Sequence, residues 1–185
     1  LYEPVAPTIA EMTDAALGFL EARDQRFLLV VEEEGSDNFA NVNNAVGAMT
    51  ALTRADEALG VALDFVEENP ATILVTAADS EAGGMEVFPI RNAGPNVSMR
   101  NLPPTTRNGG MLDGIDGSET PPFMSPPDQF GSRLPFAIAW ASFDDTLGGV
   151  VARAHGLNAG LLPLSVDNTD IYRILYVTLF GVWLP

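Results

Sequence analysis

Hydrophobic positions in the first ninety residues fall into alternating helical and strand-like blocks. Ile9, Met12, Ala16, Leu17 and Leu20 recur at helical spacing, which predicts an amphipathic helix from Thr8 to Ala22. Phe27-Leu28-Leu29-Val30-Val31 is an unbroken apolar run of strand length, the pattern of a strand buried on both faces. It stops at the polar loop Glu32-Glu33-Glu34-Gly35-Ser36-Asp37. A long helix is predicted from Asn41 to Glu68, with Val42, Ala45, Met49, Leu52, Leu59, Leu63 and Val66 on one face. Asp56 interrupts that face, and burial against an Arg or a backbone donor is its expected role. Asn69-Pro70 stops the helix, and Thr72-Ile73-Leu74-Val75-Thr76 reads as a second buried strand. It ends in another acidic turn, Ala78 to Gly84. Strand, helix, strand at this spacing predicts a βαβ unit with a parallel sheet. Ligands of such sheets bind beyond the carboxyl ends of the strands, where both acidic turns would lie.

The second half has a different texture. From Arg91 to Leu134, Pro and Gly are dense and no periodicity persists, so residues 91–134 are expected to form an irregular insertion or lid. Strands are predicted at Phe136–Trp140 and Gly149–Arg153, around the turn Ser142-Phe143-Asp144-Asp145-Thr146. A last helix runs from Thr169 to Gly181, capped by Asp167 or Asn168. The expected fold class is α/β: a three-layer sandwich with a mainly parallel sheet, helices on both faces and the insertion over the strand ends.

Composition narrows the chemistry. The 185 residues include 9 basic side chains, all Arg, against 25 acidic ones, a formal net charge of −16. A field this negative repels nucleic acid and anionic lipid, so neither is an expected partner. No apolar stretch reaches the roughly 18 residues that a membrane-spanning helix needs. With no Lys there is no Schiff-base or P-loop chemistry. With no Cys and one His, thiolate zinc sites, Cys nucleophiles and two-His zinc sites are excluded for this chain alone. The acid is concentrated: residues 1–90 hold 17 of the 25 carboxylates and three of the Arg side chains. Most of these carboxylates read as solvated surface. The chain opens Leu1-Tyr2-Glu3-Pro4, without an initiator Met or a signal pattern, so a processed chain or a piece of a longer one is expected.

Some carboxylates stand where strands are predicted to end. Glu32 and Asp37 flank the first turn, Asn41 lies one helical turn beyond Asp37, Asp79 is in the second turn and Asp145 in the third. Converging carboxylate and amide oxygens suit a hard divalent cation such as Mg²⁺. The competing reading makes Asp37 and Asn41 helix caps and Asp79 a turn residue.

At these same residues the chain resembles the C-terminal half of alkaline phosphatases. Phe27 to Glu57 is similar to the family's V-E-G-x-x-I-D-H-x-x-H stretch and the long helix after it. Val75-Thr76-Ala77-Ala78-Asp79-Ser80-Glu81-Ala82-Gly83-Gly84 resembles V-T-A-D-H-E-T-G-G with one extra residue. Ala139-Trp140 through Asp145-Thr146 occupies the place of the late H-T-G motif. Ala10-Glu11-Met12-Thr13 and Val166 to Tyr172 match the opening and closing helices.

The resemblance implies a phosphomonoester hydrolase, of which residues 1–185 would be the C-terminal portion of one domain. The family works with two zinc ions and a magnesium ion. Its Ser nucleophile, the Asp beside it and its phosphate-binding Arg come from the N-terminal half, so this chain alone is expected to be impaired or inactive. A degenerate, non-catalytic binding or structural module is the alternative. Carried over, Glu32 is a magnesium ligand, with Glu33 its substitute if the loop is shifted; Asp37 and Asp79 are ligands of the first and second zinc. Asn41, Ser80 and Asp145 stand where the family has His. Zinc favours nitrogen and sulfur donors, so this oxygen set points to Mg²⁺, Mn²⁺ or Ca²⁺ rather than Zn²⁺. His155, beside Gly156, is expected to be structural. The resemblance further implies a phosphate monoester or phosphate as ligand, an N-terminal half or partner chain, homodimerisation as one such assembly, and export to the periplasm or outside the cell.

Overall fold

In the computed structural model, which describes residues 2–89, 111–113, 123–133 and 135–185, the chain divides into two compact units. The first comprises Leu1–Glu33, Leu52–Asp79 and Val150–Pro185; the second comprises Glu34–Ala51 and Ser80–Gly149.

In the first unit, helix α1 (Ile9–Glu21) starts where its capping residues dictate. The Glu11 N–H donates to Thr8 Oγ1 at 3.2 Å, and the Thr8 N–H donates to Glu11 Oε2 at 2.7 Å. This reciprocal pair satisfies two amides that an uncapped helix leaves open. Helix α4 (Asn168–Phe180) repeats the device with Asp167 and Asp170, and Gly181 ends it at φ +71°. Ile174 of α4 is fully buried, and Leu17 of α1 and Val66 of α3, the long helix (Ala45–Glu68) shared between the units, are buried as well. Strand β1 (Ile73–Thr76) pairs with β6 (Arg153–Gly156), antiparallel, with Leu74 opposite His155. Gly156, at φ +91°, packs so closely on the Thr72 carbonyl and Val66 that a side chain there would clash. His155 is exposed on that strand. Asp56 is exposed as well, so the burial expected for it does not occur.

The second unit is organised around β5 (Pro135–Trp140), flanked by β2 (Met85–Pro89) on one side and by β3 (Met111–Leu112) and β4 (Phe123–Met124) on the other. All three pairings are antiparallel, with Trp140 opposite both Met85 and Met111. Ala137, Ile138, Ala139 and Trp140 are buried in succession, as the uninterrupted apolar run requires. Trp140 and Ile138 form a core with Ala40 and Ala45, and the Phe136 ring stacks on Phe123 at 5.4 Å. Trp140 also donates its indole N–H to Asp113 Oδ1 at 2.9 Å, and the same oxygen accepts the Ala45 N–H at the start of α3, also at 2.9 Å.

Four further expectations are corrected. Among the described residues every strand pair is antiparallel, the sheets are small and no βαβ unit forms, so the mainly parallel sheet that was expected is not found there. Phe27–Val31 is not assigned as a strand, and Leu28, Val30 and Val31 are exposed. The apolar run that suggested a central strand has its ring contact instead with α3, Phe27 lying 6.1 Å from Phe65. The helix predicted from Asn41 to Glu68 is broken: a short α2 (Gly35–Ala40) ends before Asn43, which sits at φ +55°. Asn tolerates this left-handed conformation better than most residues. Asn44 then accepts the Gly47 N–H at 2.9 Å and α3 begins afresh. The strand predicted at Gly149–Arg153 starts later, at Arg153.

Most of the expected insertion, residues 91–110 and 114–122, lies outside the described residues. Its described parts supply β3, β4 and Asp113 to the second unit.

Candidate functional site

The second unit brings three of the sequence-predicted residues together. Asp37 and Asn41 are four apart across the end of α2, a spacing that puts side chains on one helical face. The Asn41 Nδ2 donates to Asp37 Oδ1 and Oδ2, each at 3.1 Å, and to Asp145 Oδ1 at 3.0 Å. One amide nitrogen therefore lies between two carboxylates. Its orientation follows from the chemistry: turned over, the amide oxygen would face two anions. As it stands, Asn41 Oδ1 is buried without a partner.

The loops bearing these residues are fixed by backbone contacts. Gly83 lacks the Cβ that would collide with the Ala40 carbonyl and press on Trp140 at 3.0 Å, so only glycine allows this approach. Gly84 adopts φ +65°, the conformation that a Gly-Gly pair makes inexpensive. The Gly83 carbonyl accepts the Ala141 and Ser142 N–H groups at 3.0 and 3.1 Å. The Ala82 carbonyl accepts the Thr146 N–H at 2.8 Å and its hydroxyl at 3.0 Å, which anchors the residue next to Asp145. Asn43, buried at 3% exposure, donates to the Ser142 carbonyl at 2.8 Å once its amide nitrogen is turned toward acceptors. Sequence reasoning missed Asn43 and Asp113. The Asn41-Val42-Asn43-Asn44 run was the signal for the first, since so many Asn residues suit a turn better than a helix interior. For Asp113 there was none, because its partners are 27 and 68 residues away.

The remaining candidates have other surroundings. Ser80 Oγ accepts the Ala82 N–H at 2.9 Å and closes its own turn. Glu32 and Asp79 are exposed carboxylates of the first unit. Glu33, the substitute for Glu32, accepts the Tyr2 hydroxyl at 2.7 Å, while the Arg54 guanidinium lies 3.5 Å over the Tyr2 ring. Burial, and then the bond to Glu33, push the Tyr2 hydroxyl up to about 12. Glu33 is thus engaged with Tyr2, whereas Glu32 faces solvent.

The donor set does not fit a zinc centre. Among the described residues, no three His, Cys, Asp or Glu side chains are grouped so that they could hold a metal ion. Between Asp37 and Asp145 stands the Asn41 side-chain NH₂, a donor that has no lone pair to offer a metal.

The first unit also carries an apolar groove of about 460 Å³, lined by Phe27, Leu28, Leu175, Tyr176, Leu179 and Phe180.

The fold has its counterpart in solved alkaline phosphatases. A TAB5 alkaline phosphatase variant with Mg bound superposes with a TM-score of 0.64 at 18% identity, covering 96% of this chain and 42% of that one. The architecture is therefore of the alkaline phosphatase type. Sequence comparison carries this further: the alkaline phosphatase family model matches residues 2–104. An alkaline phosphatase of Escherichia fergusonii is 31% identical over 173 residues, covering 94% of this chain and 32% of that protein. Streptomycin-6-phosphate phosphatase of Streptomyces griseus is 29% identical over 166 residues, covering 82% and 36%. The chain belongs to the alkaline phosphatase family, and it spans about a third of the length of these two relatives.

Proposed function

We propose that this chain is the C-terminal portion of a phosphomonoester hydrolase, without turnover of its own. The observation that carries this reading is the match to the Escherichia fergusonii enzyme along 94% of the chain. The nucleophile and the phosphate-binding Arg come from an N-terminal portion, and the substrate is a phosphate monoester. Should a divalent ion bind the assembled protein, exposed oxygen donors of the first unit such as Glu32 and Asp79 suit a hard one, Mg²⁺ or its like, rather than zinc. The groove of the first unit and the exposed side chains of Leu28, Val30 and Val31 support assembly with a further polypeptide, either that N-terminal portion or a second copy. Export from the cytoplasm is part of the same reading.

Assay of an aryl phosphate at alkaline pH, with Zn²⁺ and Mg²⁺ supplied, tests it. The isolated chain is expected to show no hydrolysis. Joined to the N-terminal portion of the Escherichia fergusonii relative, it is expected to show hydrolysis above that background. Zinc-dependent turnover by the isolated chain, abolished by Asp37→Ala, would overturn the first expectation, and stoichiometric zinc in the purified protein would overturn the preference for a hard ion. A joined protein that folds but stays inert favours the second reading, a phosphatase-like module without catalysis. The Asn41 amide between Asp37 and Asp145 supports that reading.

A further inference from the structure

We infer that the Asn41 amide takes the place of a metal ion between Asp37 and Asp145, so that these loops are held in register without one. The inference rests on the family reading only for the identity of the group replaced; the bridge itself stands on its geometry. Two carboxylates drawn to one point repel each other unless something positive lies between them. Nδ2 lies 3.0–3.1 Å from oxygens of both, and an amide nitrogen has two hydrogens, one for each carboxylate. The amide thereby supplies the positive end of a dipole where a cation would supply charge. The arrangement also accounts for the orphaned Asn41 Oδ1, which is buried without a partner because the nitrogen is committed to the two anions. The frame that delivers the three residues is independent of them: Gly83 against Ala40 and Trp140, Asn43 on Ser142, and Thr146 on Ala82. An ion entering between Asp37 and Asp145 has to displace the amide hydrogens first.

The test is thermal unfolding of the full 185-residue chain with EDTA, with Mg²⁺ and with Zn²⁺. The wild-type midpoint is expected to stay within about 1 °C across all three conditions. Asn41→Asp puts a third carboxylate where the bridge was; it is expected to lower the midpoint in EDTA by about 3 °C or more and to recover when divalent ion is added, because binding to the folded state alone raises the midpoint. A wild-type midpoint that falls in EDTA and rises with Mg²⁺ or Zn²⁺ would overturn the inference without any variant having to fold. So would Asn41→Asp with a wild-type midpoint in EDTA, or one lowered in EDTA that no ion restores. In the folded wild type, the Asn41 side-chain amide resonances should be unmoved by millimolar Mg²⁺; displacement of those resonances alone would also count against the bridge. None of these outcomes depends on hydrolysis, so an inert joined enzyme leaves the inference standing.

Discussion

Two apolar runs of nearly equal length meet opposite fates in this chain. Phe136–Trp140 lies in a strand with neighbours on both sides, and four of its five side chains are buried. Phe27–Val31 is no strand, and Val30 keeps 80% of its surface in solvent. The two runs are alike in hydrophobicity and differ in what surrounds them. The first has small residues, Ala40, Ala45 and Gly83, that let other backbone close over Trp140. Beside the second, Phe27 meets Phe65 of α3, and Leu175, Leu179 and Phe180 of α4 line an open groove with Phe27 and Leu28. An apolar run therefore states a need for burial, and its neighbours decide whether the need is met.

The contrast can be broken most forcefully at Trp140. Trp140→Ala removes the largest fully buried side chain of the core and takes one donor from Asp113, so a loss of about 3–5 kcal/mol is expected in chemical denaturation. A loss below about 1 kcal/mol would mean that the core around β5 is not tightly closed. Next comes α1, which sharpens the comparison from the other unit. Thr8→Ala opens the capping box and should cost about 1 kcal/mol at neutral pH. The Thr8 N–H and hydroxyl hold the Glu11 carboxyl below its ordinary value. A carboxylate whose folded value is depressed stabilises above its unfolded value, and that contribution is lost as pH falls through the folded one. Because the variant keeps the residue-8 N–H, the larger of the two causes, the Thr8→Ala deficit should shrink in acid only by the share of the hydroxyl bond; a deficit that grows as pH falls would contradict the assignment. The smallest effect is expected at Val30: Val30→Ser should change stability by no more than about 0.5 kcal/mol, because the side chain is already in water. A larger loss would show that the segment is covered in solution.

Much of the fold was legible because its signals are local. Thr8 with Glu11, Asp167 with Asp170, and Gly181 mark helix ends within one turn, and both terminal helices lie within a residue or two of their expected bounds. Antiparallel pairing was not legible, because strand direction depends on which strands meet, and neither apolar run carries that information. The break at Asn43 was half visible: the Asn run is a turn signal, but the surrounding apolar periodicity outweighed it. Of the candidate site, the i, i+4 spacing of Asp37 and Asn41 placed them on one face, as the structure has them. That Asn41 would serve as a donor between two carboxylates, and not as an oxygen ligand, depends on a residue 104 positions away.

Asp113 has a consequence for the order in which the chain can become structured. Helix α1 closes its own cap across three residues, so its start is complete almost as soon as Glu11 follows Thr8. The start of α3 takes one of its bonds from a side chain 68 residues further on. During synthesis, Ala45 leaves the ribosome long before Asp113 exists. Until residue 113 arrives the Ala45 amide cannot have this acceptor, and Trp140, the other donor to it, is made later still. At the translation rates of ribosomes, about 5–20 residues per second, that interval is several seconds of exposure for one end of the longest helix.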